Sequence, residues 1–190
     1  MSRRKTLSDF LRSTPVLFRA PVQWGEMDKF SHVNNVVYFK YLEGARLVYL
    51  SKLMNTVRRI DHEGGAAFAE GWNSGSGVGP ILSDTQLAFK FPLTYPDRVI
   101  VGATVDPATC DNSVGSRITI HHDVWSLRHN RVVASGLGRV IPYDYVTNKV
   151  VAASDVLLSA IADIQANENC LQLLNELETE RQTCLENEDL

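Results

Sequence analysis

The sequence predicts an α+β domain, an antiparallel sheet wrapped around one long helix. Three observations lead there. Val37, Tyr38, Tyr41, Leu42, Ala45, Val48 and Tyr49 recur at three- and four-residue steps, the repeat of a helix face turned toward a core. From residue 81 onward the period changes to two through four successive stretches, as half-buried strands require. Apolar residues make up 44% of the 190; a domain of roughly 150 residues hides about 70% of its unfolded surface without disulfides or metal.

Residues 1–20 carry five basic groups and only Asp9 as an acid. Residues 1–15 are read as a basic, flexible terminal segment. Leu7, Phe10 and Leu11 stand at helical spacing among Arg3, Arg4, Lys5 and Arg12, a faint likeness to a mitochondrial presequence. Residues 16–24 mix β-formers with Pro21 and predict a first strand at a sheet edge. A polar turn over 25–35 leads into the helix, with Asn34 or Asn35 as N-cap and residue 54 as its end. Phe39, Leu47 and Leu50 fall outside its apolar stripe, and a helix apolar on most sides is buried in the middle of something.

Residues 55–79 give a weak signal that ends in the glycine-rich loop GWNSGSGVG over 71–79. Strands follow at 81–91, 98–105, 116–127 and 131–142, separated by Pro92 and Pro96, by Asp111 and Asn112, and by a gap at 128–130 short enough for a hairpin. From Ala153 the pattern is helical again, with Leu157, Ile161, Ile164, Leu171, Leu174 and Leu177 in one seam. The expected organisation is a flexible segment at 1–15, a domain at 16–153 and an acidic helical extension at 154–190. That extension carries nine acids and only Arg181, and its helix packs on its own domain or pairs with a partner chain.

Composition excludes several classes. No apolar run approaches the roughly 20 residues that span a bilayer. The net charge is −3 and no basic stripe is available to displace counterions from nucleic acid. Cys110, Cys170 and Cys184 form no CxxC pair, which argues for a reducing compartment. No secretory signal is expected, since no apolar run follows the basic start. A cytoplasmic location is expected, with a mitochondrial one as the alternative.

Candidate chemistry narrows to one turn. The glycine-rich loop lacks a GK[ST] ending and runs into a strand, so it does not predict a phosphate cradle. His121 and His122 on a strand point to opposite faces and cannot share an ion, so no metal site is expected. The cysteines have no His-containing motif nearby, and no G-x-S-x-G joins a strand to a helix. The segment from Trp24 to Tyr38 remains, with Glu26 and Asp28 two residues apart shortly before a helix start. Unpaired N–H groups there can polarise a carbonyl oxygen, and a carboxylate opposite them can attack the carbonyl carbon or activate water. From spacing alone, a carboxylate that merely bonds its own turn is the stronger reading for Asp28.

The stretch VQWGEMDKFSHVNNVVYFKYLEGAR over 22–46 closely resembles the opening motif of the hotdog-fold acyl-CoA thioesterases of the 4-hydroxybenzoyl-CoA thioesterase type, W-x-D-x-D-x-x-G-H-V-N-N-x-x-Y followed by a helix ending in E-x-A-R. FKFPLTYPDRV over 89–99 is similar to that family's second strand and its P-x-x-x-x-D turn. The resemblance covers about residues 16–143. It implies the hotdog fold with an additional C-terminal helix, and hydrolysis of an acyl-CoA thioester with Asp28 as nucleophile or general base. It also implies a substrate site around Ser31, His32, Asn34, Asn35, Val36, Val37 and Tyr38, the carbonyl oxygen being held by amides at about 35–37.

Coenzyme A enters as part of the substrate, and no separate cofactor is implied. A homodimer, or a dimer of dimers, with shared active sites is implied too, with CoA phosphates near Lys90, Arg128, Arg131 or Arg139. Tyr38, Tyr41 and Trp72 are expected to shape the acyl pocket. Two positions depart from the motif: Glu26 replaces the first aspartate, and Ser31 replaces a glycine, which matters if that residue needs a positive φ. Glu43 is read as an i,i+3 partner of Arg46. A non-catalytic acyl-binding or assembly module is the alternative function, and a dehydratase using His32 beside Asp28 stays open.

Overall fold

A computed structural model of the chain describes residues 5–167 and 169–186. Its sheet holds β1 (Val16–Pro21), β2 (Val78–Phe89), β3 (Arg98–Val105), β4 (Ile118–Ser126) and β5 (Arg131–Asp144) in the order β1-β3-β4-β5-β2. All pairings are antiparallel, and a short β6 (Lys149–Val150) pairs with the end of β5. Alternation along each strand divides the sheet into two apolar faces. Val101, Val124 and Ala134 lie side by side on the face toward the central helix, whereas Ile100, Trp125 and Val132 face the other way.

The central helix, α2 (Asn35–Ile60), buries Tyr38, Tyr41, Leu42, Ala45, Tyr49, Leu53, Met54 and Val57 against the sheet. Each large aliphatic side chain buried there contributes about 1.5–3 kcal/mol. Asn34 caps it, its side-chain oxygen accepting from the Val36 amide at 3.1 Å. The helix runs six residues past the expected stop, because Thr56 and Val57 are buried and packing overrides their modest propensity. Val48, expected on the buried stripe, is 39% exposed.

Gly136 on β5 sets how closely the helix approaches: a Cβ there would lie 2.5 Å from the Gln86 carbonyl oxygen and 2.8 Å from Leu42. Gly136→Ala is expected to cost about 1–3 kcal/mol through overpacking, read as a lowered thermal midpoint. An unchanged midpoint would show that the helix sits more loosely than this contact implies.

Three expectations are corrected. The weak-signal stretch 55–79 contains α3 (Gly65–Ser74), which takes the first four residues of the glycine-rich segment 71–79, buries Ala69 and Trp72 and ends at Gly75 with φ 68°. Glycine at that left-handed position terminates the helix without Cβ strain. The segment read as flexible contains α1 (Leu7–Arg12), started by a capping box in which Thr6 and Asp9 bond each other's backbone. Its Phe10 stacks on Trp125 at 5.4 Å, so the helical spacing of Leu7, Phe10 and Leu11 serves packing; residues 1–4 lie outside the described part.

The C-terminal seam, read as one helix, is two. The first, α4 (Asp155–Asn167), packs Leu157, Ile161 and Ile164 beside α2, and Gln165 donates to the Tyr49 hydroxyl at 3.1 Å. The second, α5 (Leu174–Glu186), lies with α1 on the opposite sheet face, where Leu177 joins Ile100, Trp125 and Leu127. Arg19 on β1 holds α5 through Glu176 at 2.6 Å and Glu180 at 3.2 Å. The described residues on either side of the central part of the chain, 5–13 and 155–186, therefore pack on the two faces of the sheet rather than trail from it. Among the described residues no helix is long and apolar enough to cross a membrane.

Candidate active site

The turn before α2 is tied down from both ends. The Glu26 carboxylate accepts from the Gln23 amide at 3.0 Å and from the Tyr41 hydroxyl at 2.6 Å, so the longer acid still bolts the turn to the helix. Burial raises the Tyr41 pKa and Glu26 raises it further, which keeps the phenol a donor. Met27 and Val33 pair across the turn, the Asp28 amide donates to the His32 carbonyl at 2.8 Å, and the Ser31 amide donates to the Asp28 carbonyl at 3.1 Å. Ser31 sits at φ 61°. The residue that replaces the motif's glycine therefore occupies the left-handed conformation glycine favours, at a cost of roughly 1–2 kcal/mol.

Asp28 is half-buried at the base of this turn. Its Oδ1 accepts from the amides of Phe30 at 2.8 Å and His32 at 3.3 Å, which fixes the carboxylate plane. The local bonding read from spacing alone is thus present, and it orients the group. Asp28, His32, Asn35 and Tyr38 form one side of an open cleft of about 300 Å³, opposite Phe89 and the segment 90–93. The Leu93 carbonyl accepts from the Val33 amide at 2.8 Å, joining the two sides. Burial is the main reason the Tyr38 phenol is pushed up to about 12; Asp97 adds to the rise, while a hydrogen bond from the Leu93 backbone opposes it. The phenol is neutral at any working pH.

The remaining residues of the expected site lie off the cleft wall. Ser31 is exposed on the turn, Asn34 serves as the cap, Val36 is 64% exposed and Val37 is buried in the core. Of the amides at 35–37, that of Val36 donates to the Asn34 side chain and that of Val37 to the Asn34 carbonyl at 2.9 Å. The Asn35 amide is the one that Asn34 leaves uncommitted. Trp72 is buried in α3 beside Phe68 and does not border the cleft. Tyr41 is engaged with Glu26, and Glu43 pairs with Arg46 at 3.7 Å.

Sequence reasoning did not assign site roles to Phe89, Phe91, Leu93 and Asp97. Asp97 is 7% exposed, and its carboxylate accepts from the amides of Arg98 at 2.6 Å and Arg128 at 3.0 Å and from the Ser126 hydroxyl at 2.5 Å. It anchors the loop that presents Leu93. The signal was available in the P-x-x-x-x-D turn, of which Asp97 is the last residue. His122 is buried facing α2, and His121 is exposed on the outer face.

A curled antiparallel sheet around one long helix is the hotdog arrangement. Residues 22–161 match the model of the thioesterase-like superfamily, and the chain belongs to that family. Three solved structures illustrate the likeness. A DHNA-CoA thioesterase from Staphylococcus aureus has 20% identity, a TM-score of 0.59 and coverage of 85% of this chain and 93% of its own. A thioesterase from Thermus thermophilus, complexed with coenzyme A and Zn, has 19% identity, a TM-score of 0.60 and coverage of 82% and 97%. A 1,4-dihydroxy-2-naphthoyl-CoA thioesterase from Synechocystis has 14% identity, a TM-score of 0.59 and coverage of 78% and 96%. A comparison with curated proteins finds no match.

Proposed function

We propose that the chain hydrolyses acyl-CoA thioesters, with Asp28 acting on the thioester carbonyl. The observation that carries this reading is the Asp28 carboxylate, clamped through Oδ1 by two amides and bordering the same cleft as Asn35 at the helix start. In the scheme, the carbonyl oxygen points at the Asn35 amide, where the helix N-terminus stabilises developing negative charge. Asp28 either attacks the carbonyl carbon or takes a proton from the attacking water. The thiolate of CoA then leaves and is protonated from solvent; where Asp28 is the nucleophile, water next hydrolyses the acyl–Asp28 anhydride, releasing the acid and restoring the carboxylate. Phe89, Phe91 and Leu93 supply apolar wall for the acyl group.

A second copy completes the cleft in this reading. β2 is one of the sheet's two edges among the described residues, running for twelve residues, and it exposes Ile81 at 38%, Leu82 at 41% and Phe89 at 54%. Leu47, 58% exposed on α2, adds to the uncovered apolar surface. A long apolar edge invites strand pairing, and pairing two identical edges gives a closed two-fold dimer.

Turnover on a panel of short, long and aromatic acyl-CoAs tests the function, and sedimentation tests the assembly. We expect hydrolysis of at least one class and a particle of at least twice 21.2 kDa. No turnover on the whole panel, with CoA still bound, would leave the non-catalytic module. A monomer would remove the shared cleft.

A further inference from the structure

On the sheet face away from α2, the β4–β5 turn meets α5 and the chain just before α1. Lys5, Thr6, His129, Asn130 and Arg181 line an open pocket there of about 360 Å³. Among the described residues the lining offers an ammonium, a guanidinium and an imidazole, and no carboxylate. Residues 5, 6 and 181 lie outside the 22–161 that match the family model, so the shared core alone does not build this pocket. None of the five lines the cleft that holds Asp28.

Arg181 carries the argument. Arg19, Arg59, Arg98 and Arg139 pair with Glu176, Asp163, Glu180 and Asp84. Among the described residues no carboxylate pairs with Arg181, and its buried Nε has no hydrogen-bond partner. Glu180, beside it in sequence, is engaged by Arg19 at 3.2 Å and Arg98 at 3.5 Å. Lys5 gives Asp123 one of its three donors at 3.2 Å, and its amine stands 5.3 Å from the centre of the Phe10 ring. These contacts hold the amine at the pocket wall. A buried donor without an acceptor is unfavourable, and a guanidinium fork matches an oxyanion through two parallel bonds. Two cations at one pocket favour an ion with more than one negative charge.

We propose that this pocket binds a small oxyanion of the phosphate class, either the free ion or the phosphate of a small metabolite, gripped by the Arg181 fork with Lys5 beside it. The ion bridges the chain before α1, α5 and the β4–β5 turn, and so binds only where these are folded together.

Calorimetric titration with inorganic phosphate, in chloride buffer of matched ionic strength, tests it, and the thermal midpoint reads the same event. We expect one site per chain and, at ten times the Kd, a midpoint raised by about 3–6 °C. Arg181→Met keeps an apolar stem and removes the fork, and it should weaken binding by at least about tenfold. Lys5→Met should weaken binding as well, and it serves if Arg181→Met does not fold. Glycerol 3-phosphate separates the sources: tighter binding than phosphate assigns the site to a metabolite, and equal or weaker binding assigns it to the free ion. His129 packs on Phe91 of the cleft wall at 4.9 Å between centroids, so CoA is added as a competitor. Phosphate affinity should be unchanged in saturating CoA; displacement overturns the proposal by making the pocket part of the substrate cleft. Binding of neither probe to wild type, or equal binding to wild type and both variants, overturns it too. None of these readings uses turnover, so their failure leaves the thioesterase reading untouched.

Discussion

Asp28→Asn should abolish hydrolysis while leaving the protein folded and its assembly unchanged. The amide is nearly isosteric, and its carbonyl oxygen can still accept from Phe30 and His32 in place of Oδ1, so the turn keeps its shape. What disappears is the negative charge, and with it both the nucleophile and the base. A positioned general base is worth about 10²–10⁴ in rate, and kcat should fall by at least that much with little change in KM. Circular dichroism and sedimentation of the variant check that the loss is chemical. Wild-type turnover in a folded variant would remove Asp28 from the mechanism while leaving the fold untouched.

Much of the architecture was legible because burial imposes a period. The stripe from Val37 to Tyr49 names the face of α2 that meets the sheet, and the cores of the four long strands coincide with the four period-two stretches. The misses share a cause, namely contacts distant in sequence. Gly65 and Gly71 depress the propensity of α3, yet Trp72 has a core waiting for it. α1 has only six residues, too few to persist alone, and forms because Phe10 reaches Trp125 across the sheet. Leu157 through Leu177 keep a helical spacing across a break at residues 169–173, so spacing alone merged two helices that cover opposite faces.

The site was legible to the same degree. Asp28 was singled out through the motif, and the glycine that Ser31 replaces raised the question of a positive φ, which Ser31 adopts. The choice among helix-start amides was not, because it depends on how Asn34 spends its own oxygens. The opposite wall, Phe89 to Leu93, comes from a strand end more than fifty residues away. The β2–β5 pairing and the Val33–Leu93 backbone bond bring it to the turn.

His122 makes the fold acid-sensitive. It is 2% exposed on β4, facing α2, and its pKa is lowered to about 4. Burial is the largest cause; Arg46 and His121 lower it further, against an opposing contribution from Asp123 and the Gly102 backbone. The unfolded chain titrates this histidine near 6.5, so between about pH 6.5 and 4 the unfolded state binds more protons than the folded one. Stability is therefore full above pH 6.5 and declines as the pH falls toward 4. At 1.36 kcal/mol per unit, the loss across that window is about 3 kcal/mol, a large share of a typical domain's 5–15 kcal/mol. Thermal midpoints measured at pH 7 and pH 4.5 should drop steeply in wild type and less in His122→Gln, which has the polarity but no titration. An equal drop in both proteins would assign the acid sensitivity to other groups.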